Sequence, residues 1–161
     1  GENMPIHTLM LSTTASGLHD RELLVKGMEW LCGKTKIVTF EKTTSYHGSP
    51  ITILRVKLSR SQSRMALSRL GGTLLNTLVN EIQSRLDEEN RLHFRISQNE
   101  LVQGNITLAN NNEDIIKLVA KIEVYPGEKA IDVALKLLKE SLERCERRGW
   151  LNSHPDYTID N

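Results

Sequence analysis

The sequence predicts an α+β fold, a largely antiparallel sheet with three main helices packed on one face. Two observations carry this prediction. Segments of helical and of strand period follow one another irregularly, in the order β-α-β-β-α-β-(β)-β-α, with no repeating βαβ unit. Three of the strand segments also have one apolar face, and such a face needs a covering layer.

The elements follow in chain order. Pro5 to Thr13 reads as a strand of mixed facing, and Asp20 is placed to cap a helix over Arg21 to Leu31. Leu24, Met28 and Leu31 share one face of that helix, and Gly33 stops it. Lys36 to Thr44 and Ile51 to Leu58 are β-rich and flank the turn Tyr46-His47-Gly48-Ser49-Pro50, which makes a hairpin. Ser61 or Ser63 then caps a second helix with the stripe Leu67, Leu70, Leu74, Leu75, Leu78, Ile82 and Leu86. Gly71-Gly72 interrupts it, at about 1 kcal/mol for each glycine relative to alanine. Either the helix breaks there or another backbone comes close.

Arg91 to Ser97 alternates strictly, and Ser97-Gln98-Asn99-Glu100 is a capping box for a short helical turn carrying Leu101 and Val102. Asn105 to Leu108 is a candidate short strand, and Asp114 to Tyr125 a longer one. Pro126-Gly127 opens the last helix, which runs to about Arg148 with a core stripe of Ile131, Ala134, Leu135, Leu138, Leu142 and Cys145. Glu140–Arg144 and Glu143–Arg147 are favourable i,i+4 pairs on its outer side. Residues 149–161 have no period and read as a flexible tail after a single domain over 1–148.

Composition excludes little beyond membrane and secretory classes. The chain has 161 residues, 39% of them hydrophobic and 25% charged, with a net charge of +1. No apolar run is long enough to span a bilayer, and the first residues lack a basic segment before an apolar one. Cys32 and Cys145 are isolated and match no zinc or CxxC spacing, so two reduced thiols and a cytoplasmic location are expected.

The informative feature is how charge sorts on the strands. Opposite Leu54, Val56 and Leu58 stand Ile53, Arg55 and Lys57; opposite Leu92, Phe94 and Ile96 stand Arg91, His93 and Arg95. Opposite Ile116, Leu118, Ala120, Ile122 and Val124 stand Lys117, Val119, Lys121 and Glu123. Open sheet faces tolerate long cationic side chains whose stems cover apolar surface. Acidic residues would serve solubility equally well and are nearly absent, which tilts the face toward an anionic partner. Arg60, Arg64 and Arg69 follow directly; Arg60 and Arg64 share a helix face and Arg69 is turned away.

Catalytic and cofactor motifs are lacking. The five histidines form no HExxH or Cys/His array, and no G-x-S-x-G elbow accompanies Ser45 and His47. Gly71-Gly72 fits no phosphate-loop spacing, and Asn110-Asn111-Asn112 is turn punctuation rather than a calcium loop. No metal or cofactor is expected. Aromatics make up only 4%, and Phe40 and Phe94 read as core, so a stacking platform for bases is not expected.

The segments "YHGSPI", "ITILRVKL", "RLHFRIS", "QNELVQGNI" and "IIKLVAKIEVYP" together resemble the archaeal predicted RNA-binding proteins linked to the exosome. The resemblance spans roughly Ile6 to Leu142. It implies the fold of the ribosomal large-subunit protein that binds 5S ribosomal RNA, and it carries no catalytic residues.

The expected function is therefore non-enzymatic binding of structured RNA through its backbone, tied to RNA processing, with a protein partner in such a complex. The candidate contact residues are Arg55, Lys57, Arg60, Arg64, His93, Arg95, Lys117 and Lys121, with Tyr46 and His47 in the neighbouring turn. The alternative is an assembly protein that pairs with itself or another protein through the same face, where Ile53 and Val119 supply apolar spots.

Overall fold

The computed structural model describes residues 5–157. Its sheet has five strands in the order β2-β3-β1-β5-β4, every neighbouring pair antiparallel. The strands are β1 (Ile6–Ala15), β2 (Thr39–Thr44), β3 (Pro50–Leu58), β4 (Arg91–Ser97) and β5 (Ile115–Ile122). Between them run the helices α1 (Leu18–Cys32), α2 (Arg60–Ser68), α3 (Gly72–Asn80), α4 (Ile82–Arg85), α5 (Gln98–Val102) and α6 (Ala130–Arg147).

The expected strand faces hold. Leu54, Val56, Leu58, Leu92, Phe94, Ile96, Ile116, Leu118, Ala120 and Ile122 are buried with Leu9 and Leu11 of the central strand. Helices cover that face, and the other stays open. The candidate strand at 105–108 forms only an isolated bridge, Ile96 to Leu108. Ser97 N–H still donates to Thr107 O at 3.0 Å and Ala109 N–H to Arg95 O at 2.9 Å, so the segment covers the β4 edge.

Several boundaries differ for local reasons. Ser59, not Ser61 or Ser63, caps α2, because the helix starts directly where β3 ends; Ser59 and Gln62 form a reciprocal capping box. Asp20 lies in the first turn of α1 behind the cap Gly17, where its charge suits the helix N-terminus. The buried stripe of α6 is Val133, Ala134, Leu137, Leu138, Ser141 and Cys145, with Ile131, Leu135 and Leu142 on its flank. Phe40 is 52% exposed rather than core, since β2 is an edge strand; its ring lies 5.6 Å from the Arg21 guanidinium. Both cysteines are buried and unpaired, and burial pushes the Cys32 thiol up to about 12.

The second helix breaks at Gly71, between α2 and α3, and residues 149–157 supply the reason. This stretch was expected as tail; it lies against the helix layer, while 158–161 fall outside the described residues. Gly72 N–H donates to Leu151 O at 3.1 Å. His154 Nε2–H donates to Leu70 O at 3.1 Å, and Trp30 Nε1–H to Asp156 O at 3.0 Å. A Cβ on Gly72 would stand 2.7 Å from Leu151 O, and one on Gly71 2.8 Å from His154 Nε2. Gly71 also has φ +90, where side chains are strained. Glycine is at 72 because another backbone comes close, and at 71 because of the positive φ and the His154 ring beside it.

Candidate nucleic-acid interface

The pairing registers lay the open face out as a grid. Directly paired residues share a face, so Thr39, Arg55, Ser12, Lys117 and Arg95 form one row across all five strands. Lys57, Met10, Val119 and His93 form the next, and Thr8, Lys121 and Arg91 the third. With strands about 4.8 Å apart, the first row carries Arg55, Lys117 and Arg95 within about 14 Å of backbone.

Two pairs in this grid set cation against cation. Arg95 is directly opposite Lys117, and Arg91 directly opposite Lys121. Like charges at such positions destabilise a sheet. Among the described residues Lys57, Arg95, Lys117 and Lys121 form no ion pair.

The remaining cations are partly answered by carboxylates that the sequence did not place. Arg55 Nη1 lies 3.0 Å from Glu41 Oε1, both about half exposed. Glu41 belongs to this face because β2 pairs Glu41 with Ile53. Arg91 meets Glu89, and Arg60 meets Glu123, which His7 also approaches at 3.5 Å. His93 Nε2–H donates to Asp87 Oδ2 at 2.7 Å. The face is thus less purely basic than strand alternation alone implies. Exposed pairs of this kind are worth about 0–1 kcal/mol, so they do not lock the cations away from a phosphate.

Asp87 makes one of these contacts measurable. Its bond from His93, helped by the Arg91 and Glu89 backbone amides, holds its pKa below 3.8. A lowered carboxylate stabilises the fold fully above its unfolded pKa, and that stability is lost as the pH falls through the folded value. Asp87→Asn should therefore cost melting temperature near neutrality, and the difference from wild type should shrink below about pH 4. Thermal melts across the acid range check this; a constant difference would remove the His93 link.

At the β4–β5 end of the face lies a recess of 490 Å³, and Arg85, Asp87, His93, Arg95, Asn111 and Lys117 are among its lining. Arg85 Nη2 is held by Glu81 at 3.0 Å, and its buried Nε–H has no partner among the described residues. Sequence reasoning missed Arg85 and Asn111, because neither a four-residue helix nor a turn has a period that says where a side chain points.

Other sequence candidates lie elsewhere. Tyr46, 98% exposed, and His47 sit at the hairpin tip with rings 5.3 Å apart, and Pro50 begins the strand five residues before Arg55. That places the tip about 17 Å along the strand from the first row. Arg64 does not join the open face; it is in the helix layer, where Arg144 donates to its carbonyl at 3.5 Å. A larger cavity of 670 Å³ lies between α3, residues 104–108 and residues 151–155, and no lysine or arginine lines it. Among the described residues no group of three acidic, cysteine or histidine side chains is placed to hold a metal. None of the described helices is long and apolar enough to cross a membrane.

A family model described as RNA binding matches residues 9–122, from within β1 to the end of β5. The chain belongs to this RNA-binding family. No curated protein matches it in sequence. Solved structures similar to this member include a DUF54 protein of Archaeglobus fulgidus, 25% identical with a TM-score of 0.69, covering 82% of this chain and 99% of the other. Mth689, a DUF54 protein of Methanothermobacter thermautotrophicus, is 24% identical with a TM-score of 0.70, covering 86% and 98%. A UPF0201 protein of Methanococcus jannaschii, 11% identical with a TM-score of 0.57, covers 83% and 98% and shares the fold.

Proposed function

We propose that this RNA-binding family member is a non-enzymatic protein that grips the phosphate backbone of structured RNA on its open sheet face. The observation that carries the reading is the two directly opposed cation pairs, Arg95 with Lys117 and Arg91 with Lys121. Among the described residues Arg95 and Lys117 have no carboxylate partner, so their opposition costs stability in the free protein, while Arg91 is partly answered by Glu89. A phosphate placed between the two side chains of a pair would relieve the repulsion. Arg55 and Lys57 extend the surface across the sheet, and Arg95 and Lys117 also line the recess that Arg85 enters. The grid holds no Phe, Tyr or Trp, and the His93 ring is tied to Asp87, which favours backbone contact over base stacking. Family membership supports RNA as the anion.

In this reading the protein is cytoplasmic and works with a protein partner in RNA processing, as the resemblance to exosome-linked proteins implies. A second reading, self-association through the same face, has Met10 in its favour, 38% exposed beside Val119. The opposed cations argue against burying that face in a dimer.

The test is fluorescence anisotropy with an RNA hairpin over a range of salt. Log affinity should fall linearly with log salt. Arg55→Ser with Lys57→Ser should weaken binding to all sequences alike and flatten that slope by roughly one unit per lost contact. Stability should change by about 0.5 kcal/mol or less, since both side chains are exposed. Unchanged affinity with an unchanged slope removes these residues from the interface. Undetectable binding by wild type at low salt overturns the reading. A concentration-dependent dimer in light scattering, abolished by Met10→Lys, would favour self-association instead.

A further inference from the structure

Five arginines converge in the helix layer where α2 and α6 end. Arg64 and Arg69 come from α2 and its C-cap, and Arg144, Arg147 and Arg148 from the last turn of α6 and its C-cap. Trp150 links the groups: the Arg69 guanidinium lies 5.3 Å from its ring centroid and that of Arg148 5.8 Å. Both are in cation–π range, which fixes two planar forks beside one ring.

This cluster lacks the compensation that the sheet face has. None of the five forms an ion pair among the described residues. The expected i,i+4 pairs Glu140–Arg144 and Glu143–Arg147 are not formed. Two donors, Arg64 Nε and Arg69 Nε, are buried without a hydrogen-bond partner. The like charges also act on one another. After burial, Arg64 and Arg147 are the largest causes lowering the Arg144 pKa, and Arg148 lowers that of Arg69.

Helix ends explain part of this but not all. A helix C-terminus carries about half a negative charge, so two of them offset about one cation. Glu140, which favours the charged form of Arg144, offsets a second. The mutual lowering of the arginine pKa values shows that like charges still act on one another here. All five are arginine, whose planar fork matches phosphate in a way that a lysine ammonium does not.

We propose that this arginine cluster is a second phosphate-binding surface, taking RNA phosphates on the helix layer while the sheet face takes others. The proposal rests on the RNA reading for its ligand and goes beyond it in assigning a separate site. The phosphates come either from the far end of one folded RNA or from a second RNA molecule.

Two pairs of variants test it, Arg144→Gln with Arg148→Gln in the cluster and Arg95→Gln with Lys117→Gln on the sheet. The cluster pair should lower affinity for an RNA hairpin about tenfold and the salt slope by roughly one to two units. Its effect should add to that of the sheet pair, as for separate sites. Native mass spectrometry then distinguishes the sources, with one RNA per protein for a shared ligand and two for separate ligands. Should the cluster pair fail to fold, the exposed Arg147→Gln alone should reduce the slope by about one unit. Full affinity in the cluster variants, with a loss in the sheet pair, overturns this inference and leaves the RNA reading intact. Inorganic tripolyphosphate, followed by tryptophan fluorescence, separates the opposite case. If wild type binds no RNA but answers tripolyphosphate, and the cluster variant does not, the phosphate surface stands without the RNA reading. No response to either ligand overturns both.

Discussion

Lys117→Glu should make the protein more stable and a much weaker RNA binder. Lys117 faces Arg95 directly across the β4–β5 pair, and Ser12 separates it from Arg55 in the same row. The substitution replaces a repulsive cross-strand pair by an attractive one. Such pairs are worth roughly 0.2–1 kcal/mol, so removing one and gaining the other should stabilise by about 1 kcal/mol. For a chain of this size that is about 2–4 °C in melting temperature. Binding moves the other way, because a carboxylate now stands where a phosphate would sit. Losing two charge-assisted contacts at about 1.5 kcal/mol each lowers low-salt affinity about a hundredfold. Calorimetry and anisotropy on the same preparation check both halves. Lower stability with unchanged binding would mean that the cations at 95 and 117 are arranged for the fold and not for a ligand.

Gly72→Ala should destabilise strongly for its size. The added methyl would meet Leu151 O at 2.7 Å, a backbone atom that cannot swing aside as a side-chain tip can. Overpacking of this kind costs about 1–3 kcal/mol, or roughly 4–8 °C at its middle. The change also strains the Gly72 N–H to Leu151 O bond, so residues 149–157 should lose hydrogen-exchange protection before the sheet does. A neutral Gly72→Ala would show that these residues do not hold their place against α3.

The strand faces were legible because period two is a local property. Leu92, Phe94 and Ile96 alternate with Arg91, His93 and Arg95 whatever lies beside them. What lies beside them is not local. Glu41 answers Arg55 only because β2 pairs with β3 in one register, and Arg95 opposes Lys117 only because β4 pairs with β5. The opposed pairs that carry the functional reading were therefore invisible before the registers were known. Gly71-Gly72 announced a break or a close approach, but the partner lay in a stretch without period. The helix wheel gave Arg60 and Arg64 a common face. It could not show that Arg60 turns toward Glu123 while Arg64 lies against α6.

The central claim, that RNA phosphates lie on the open sheet face, is tested most directly by backbone amide chemical shifts during titration with an RNA hairpin at low salt. The account predicts the largest changes along β3, β4 and β5, around Arg55, Lys57, Arg95, Lys117 and Lys121, fading as salt is raised. Changes confined to the hairpin tip at Tyr46 and His47, or changes that persist at high salt, would contradict it.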